Sequence, residues 1–315
     1  MSYAGHEEAW REWRAALAGE RMHHAWILSG RKGVGKAAFA MQAAHELVGG
    51  PSGGHPDILR LSHLPKDDKE EAKRDDGKAY ETKRNISVGQ IRAMQQRLTT
   101  RPTLGERRAI VIDPVDDLET AASNALLKSL EEPPRGTFFL LVAHRIGRLL
   151  PTIRSRCSVL RFPAVPDEAI DAVLRREAPE ADAATRAAAI AASGGSPGAA
   201  LDFVGMGLGE LHRLMQKLIV SGDAEFALRG RMAEVMGARP DRARQLAAID
   251  LARSVVADAM RTVTHQNIPP LADAHAELSS LAAQAPTYNY DAGLLVMEIG
   301  SLLAAVGAPR EAAHG

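Results

Sequence analysis

Cysteine occurs once in the 315 residues, at Cys157. A single thiol excludes an intramolecular disulfide framework and any all-cysteine zinc site, and it suits a reducing compartment. Net charge is missing too, because 39 Lys and Arg balance 39 Asp and Glu. That argues against non-specific wrapping of nucleic acid by a basic surface, while leaving room for a local basic patch. No uninterrupted apolar run approaches the ~20 residues of a membrane-spanning helix. The opening "MSYAGHEEAWREWRAAL" carries acids where a secretory signal would carry an apolar stretch. A cytoplasmic protein with no membrane partner is expected. The length suits two or three domains of roughly 100–200 residues each.

What the chain does contain is "GRKGVGKAAF" (30–39), which has the G-x-x-x-x-G-K pattern of a phosphate-binding loop. Gly30, Gly33, Gly35 and Lys36 are the candidate nucleotide-binding residues. The next position should be Ser or Thr, whose hydroxyl holds magnesium, and here it is Ala37. The context fits a nucleotide fold: "HAWILSG" (24–30) suits a buried strand and "KAAFAMQAAHELV" (36–48) a helix. "RRAIVID" (107–113) is a second buried strand, ending at Asp113, the candidate magnesium-side carboxylate. Pro114 follows it and offers no acceptor, and Asp116 and Asp117 suit N-capping of the next helix. A simpler reading of the glycines also stands, in which they only make the strand-to-helix turn.

The rest of the first half alternates strands and helices. Trp10, Trp13 and Leu17 mark one face of a first helix, and Ile91, Met94 and Leu98 mark a helix within 86–98. "GGPSGGHPDILRL" (49–61) is a Gly/Pro-rich break running into an extended apolar stretch. A helix over 117–134 is stopped by Pro133 and Pro134, and "TFFLLVA" (137–143) is a buried strand. Together these predict an α/β core with a parallel sheet. Residues 65–84 alternate acids and bases with almost no apolar side chain, which predicts a mobile, solvated loop. Beyond 160–170 the pattern is helical nearly throughout. "THQNIPPLADA" (264–274) and "AQAPTYNYDAG" (283–293) are expected to be connections. His23, His24, His45, His55 and His63 lack ligand spacing and suit surface or loop positions, and Cys157 suits a buried structural thiol.

Five stretches then act together: "HHAWILSGRKGVGK" (23–36), "GHPDILRL" (54–61), "ISVGQIR" (86–92), "SNALLKSLEEPP" (123–134) and "LLPTIRSRC" (149–157). In combination they resemble the delta-prime family of bacterial DNA polymerase III clamp-loader subunits, within the AAA+ superfamily. The resemblance covers most of residues 20–205. It implies an AAA+ core over 1–163 with a degenerate nucleotide site, a small helical lid over 164–205 and a helical collar for oligomerisation over 206–315. It also implies a hetero-oligomer with gamma/tau and delta subunits, reaching the sliding clamp and primed DNA through the complex. The arginine of "SRC" would be Arg156, acting in trans on a neighbouring subunit's ATP.

Active motor subunits of that superfamily carry Ser or Thr at the position of Ala37 and Glu at that of Pro114. They carry Thr or Asn near Ala143 and His144, and an arginine at the position of Gly198. The departures imply a stator that hydrolyses little or no ATP and requires no cofactor, although it would belong to the DNA-directed DNA polymerase holoenzyme. Many relatives carry a four-cysteine zinc module before "HPD", and its absence implies no zinc. Two other readings stay open: a gamma/tau-type motor with an altered magnesium site, and a DNA-binding adaptor using Arg145, Arg148, Arg154 and Arg156. In Arg156 a purely structural ion pair is the alternative to the trans role.

Overall fold

A computed structural model describes residues 6–19, 22–49, 54–262, 268–285 and 290–307. The chain divides into two compact units, Met1–Val165 and Pro166–Gly315.

The first unit carries five parallel strands: β1 (Ala25–Gly30), β2 (Ile58–Leu61), β3 (Arg108–Ile112), β4 (Thr137–Ala143) and β5 (Ser158–Phe162). Their order in the sheet is β2-β3-β4-β1-β5, every neighbouring pair parallel. Helices interleave with the strands: α1 (Glu7–Ala18), α2 (Lys36–Val48), α3 (Asp68–Asp75), α4 (Val88–Leu98), α5 (Thr120–Glu131) and the single turn α6 (Pro151–Arg154). β5 was not expected from the sequence, where "SVLRF" is too short to stand out before the proline-rich boundary.

Because strand side chains alternate faces, Ala25 and Ile27, Ile110 and Ile112, and Phe139 and Leu141 share one side, all fully or nearly fully buried. There they join Ile91, Met94 and Leu98 of α4 and Ala122, Leu126 and Leu130 of α5 in one apolar cluster. α2 packs against the sheet through β1, β3 and β4. Trp13 of α1 is fully buried and meets Trp26 edge-on at 5.8 Å. α4 lies within the predicted 86–98 and is opened by a capping box of Ser87 and Gln90.

Residues 65–84 differ from the solvated loop expected of them. They contain α3, N-capped by Asp67, whose carboxylate accepts the Glu70 N–H at 3.0 Å. The alternating charges sit at helical spacing, so Lys73 pairs with Glu70 and Arg74 with Glu71 at i,i+3. Acids fill the first turn and bases the last, as the helix dipole favours. The segment is closed at its base, where Lys66 N–H donates to the Glu81 carbonyl (3.0 Å) and Lys83 N–H to that of Leu64 (2.7 Å). Glu70 is buried and accepts the Glu81 N–H at 2.7 Å.

The second unit is helical throughout its described residues: α7 (Asp167–Glu177), α8 (Ala183–Ser193), α9 (Pro197–Gly205), α10 (Gly209–Ser221), α11 (Ala227–Met236), α12 (Arg242–Thr262), α13 (Ile268–Gln284) and α14 (Ala292–Gly307). Part of the expected connection 264–274 is the start of α13. Pro269 and Pro270 occupy its first turn, where a helix leaves N–H groups unused. Residues 263–267 and 286–289, the remainder of that connection and the middle of the next, lie outside the described residues, as do 308–315. No helix among the described residues is long and apolar enough to cross a membrane.

Candidate functional site

In an open parallel sheet, ligands lie beyond the carboxyl ends of the strands where the chain switches direction. Here that place is the end of β1, flanked by β4 and β5. Gly30 closes the strand, and a Cβ on it would fall 2.3 Å from the Phe162 carbonyl oxygen. Only glycine lets β1 and β5 approach this closely. Gly33 and Gly35 take φ of +81° and +103°, in the left-handed region that turns the loop into α2.

Lys36 opens α2 and is 2% exposed. Its amine donates to the carbonyls of Gly30 (2.7 Å) and Arg31 (2.5 Å), both within its own loop. Burial lowers its pKa from the ordinary 10.5 to about 8, with Asp116 and Asp113 pulling the other way. From the other side His6, which is also buried, directs Nε2 at the Val34 carbonyl and sets its ring edge-on to Phe162 at 4.8 Å. The carbonyls of Gly30, Arg31 and Val34 are thus engaged by the loop's own chain.

The carboxylates are engaged as well. Asp113 pairs with Arg60 of β2 at 3.2 Å. Asp116 accepts the N–H groups of His144 (2.8 Å) and Arg145 (3.1 Å), tying the turn after β3 to the end of β4. Asp117 lies 3.3 Å from His63 and 4.0 Å from Arg145. Its burial would raise the pKa, but His63, Arg145 and His144 outweigh this and hold it below its ordinary value. Neither carboxylate caps α5, whose N-cap is Glu119 without a side-chain cap bond. His144 stands at the strand end with Nδ1 buried and unpartnered among the described residues. Burial and then the Lys36 charge lower its pKa, against Asp116 and Asp113.

Arg156 lies just past α6, with 35% of its side chain exposed. It pairs with Glu131 at 2.7 Å and donates to the Thr152 carbonyl (3.0 Å) and the Ser155 hydroxyl (3.2 Å). Cys157 beside it is partly buried, and burial raises its thiol to about 12, which leaves no nucleophile at pH 7. Asp57, the acid of "HPD", proves structural. Fully buried, it accepts the N–H groups of Thr103 (2.6 Å) and Leu104 (2.8 Å) and lies 3.8 Å from the buried Arg108. His24, expected at the surface or in a loop, is partly buried and bonds the Leu130 carbonyl at 2.9 Å. Sequence reasoning missed His6, Arg60 and Glu131. Arg60 alone had a signal, a base inside the apolar run "ILRL".

Gly30, Gly33, Gly35 and Lys36 lie in the one turn between β1 and α2, and Asp113 is near enough to act on the Lys36 charge. They lack the hydroxyl that holds the magnesium of a bound nucleotide, because Ala37 stands there. Two of the three Lys36 N–H donors meet loop carbonyls, and Asp113 is paired with Arg60. Among the described residues no group of three or more His, Cys, Asp or Glu could hold a metal ion.

A parallel β2-β3-β4-β1-β5 sheet with a phosphate loop after β1 and a helical second unit has the AAA+ architecture. The solved structure of a DNA polymerase III gamma subunit-related protein from Thermotoga maritima shares the fold. Its TM-score is 0.53 at 18% identity, over 94% of this chain and 98% of that one. The family model described as DNA polymerase III, delta subunit, matches residues 5–166, and the chain belongs to that family. Two curated relatives are DNA polymerase III subunit delta' of Pseudomonas aeruginosa, 33% identical over 212 residues, and that of Escherichia coli, 38% over 119. The matched segments cover 62% and 38% of this chain, and 60% and 35% of those relatives, less than two thirds of their length.

Proposed function

We propose that this chain is a delta-prime-type stator of a DNA polymerase III clamp loader, a subunit that hydrolyses no ATP itself and lends Arg156 to a neighbouring subunit's nucleotide. The observation that carries the reading is Lys36. In a working phosphate loop the lysine meets the β/γ-phosphates, whereas here its amine is held at 2.7 Å and 2.5 Å by the carbonyls of Gly30 and Arg31. Ala37 and Pro114 remove two further requirements of hydrolysis. Arg156 by contrast keeps a third of its side chain open to solvent, as a group acting outside its own chain needs. An arginine supplied in trans stabilises the charge of phosphoryl transfer and can be worth orders of magnitude in rate.

The partners in this reading are the gamma/tau and delta subunits, with clamp and primed DNA reached through the assembly. In this reading residues 164–205 form a lid and 206–315 a collar. Two measurements test it. The purified chain with magnesium and ATP should show no turnover, with or without weak binding, beside a Lys36→Ala control. In the reconstituted loader, Arg156→Ala should lower the clamp- and DNA-stimulated ATPase while assembly survives. Turnover that depends on Lys36 would instead make the chain a gamma/tau-type motor, and an unchanged loader ATPase would remove Arg156 from the chemistry.

A further inference from the structure

The C-terminus of α5 breaks a local rule. A helix carries partial negative charge at that end and favours cations there, yet α5 ends in Glu131 with Glu132 as its C-cap. Glu131 therefore gains nothing from the helix that presents it. What offsets its charge is Arg156, whose Nη2 lies 2.7 Å from Glu131 Oε1. A conflict between local preference and tertiary use is characteristic of functional positions.

The geometry around the guanidinium is specific. Nη1 serves the Thr152 carbonyl and the Ser155 hydroxyl, and Nη2 serves Glu131. Both hydrogen-bond acceptors belong to the α6 turn, and the charge partner Glu131 comes from α5, so two separate segments hold the group. The Nε–H has no acceptor among the described residues, and 35% of the side chain remains exposed. A free arginine would be spread over many rotamers, and ordering it at the moment of need costs rate. With 49% of Glu131 itself exposed, the ion pair is weakly held in water.

We propose that Glu131 is a positioning residue for Arg156, holding the guanidinium pre-ordered with its Nε–H free to meet a phosphate of the neighbouring subunit. The inference rests on the trans role proposed above for Arg156.

The test is a double-mutant cycle in the reconstituted loader, reading ATPase with clamp and primed DNA for the parent, Glu131→Ala, Arg156→Ala and the double variant. Glu131→Ala should lower kcat severalfold, at most about fivefold for a pair this exposed, with KM for ATP little changed, since a misplaced catalytic group costs rate more than binding. Glu131→Gln, which keeps an acceptor oxygen, should lose less. In the Arg156→Ala background the Glu131 substitution should cost nothing more. An equal loss in both backgrounds would make the pair a structural tie. A faster Glu131→Ala loader would make Glu131 a restraint, and an unchanged rate would leave it without a role; each of these overturns the proposal. If Arg156→Ala alone keeps full activity, the trans reading falls and this inference falls with it. A slow Arg156→Ala beside a normal Glu131→Ala removes only the inference. Should Glu131→Ala fail to assemble, Glu131→Gln carries the cycle.

Discussion

The buried lysine of the phosphate loop should make the first unit more stable as pH rises from 7 to 10. Unfolded, Lys36 keeps its proton up to 10.5; folded, it loses it near 8. Below pH 8 the charged amine is carried in both states, and its burial costs the fold about 3 kcal/mol. Between 8 and 10.5 the unfolded chain binds more protons, so stability climbs with pH, and about 2–3 kcal/mol is recovered by pH 10. Cys157 works in the opposite direction. Its thiol ionises near 9.0 when unfolded but near 12 when folded. Above pH 9 the folded state therefore holds the extra proton, and about 1 kcal/mol is lost by pH 10.

Urea unfolding read by tryptophan fluorescence isolates this unit, because Trp10, Trp13 and Trp26 are the chain's three tryptophans. The parent should gain about 1 kcal/mol net from pH 7 to 10, Cys157→Ala about 2–3, and Lys36→Met should lose about 1. The slopes decide the matter, whatever the absolute stability of each variant. If Lys36→Met follows the parent across this range, the lysine is not buried with its charge, and the self-bonded loop is wrong.

Two further outcomes concern the frame around the site. Asp57→Ala strips two backbone N–H groups and the buried Arg108 of their carboxylate, and should cost about 3–5 kcal/mol in the same urea assay. Because the Asp57 pKa is held below its ordinary value, this contribution is present at neutral pH and lost as pH falls through that lowered pKa. Gly30→Ala would drive a Cβ against the Phe162 carbonyl and should cost about 3 kcal/mol, the upper end of overpacking penalties. Gly147→Ala, with nothing within 4 Å of its added carbon, is the control expected to melt with the parent; equal melting of the two variants would show that β1 and β5 are not so closely joined.

The sequence alone determined the strands and helices whose apolar periodicity is carried by their own residues. β4 falls at 137–143 as "TFFLLVA" predicts, and α2 opens at Lys36 because the glycines before it admit the required φ. It also revealed the loss of Ser or Thr at Ala37, since a missing hydroxyl is a matter of residue type. Composition misjudged 65–84, because low hydropathy cannot distinguish solvated coil from a helix held by i,i+3 ion pairs and a cap.

What tertiary structure decided is where each polar group is spent. A sequence shows that Lys36 is present, and only the fold shows its amine turned onto Gly30 and Arg31. Asp113 looked like a metal ligand until Arg60, 53 positions earlier in the chain, arrived beside it. His6 reaches Val34 across 28 positions, and Glu131 reaches Arg156 from a different helix. Hydrogen bonds and ion pairs between distant positions depend on direction and distance within a few ångströms, and those are set by the packing of the whole unit. Residue types listed in order carry no record of them.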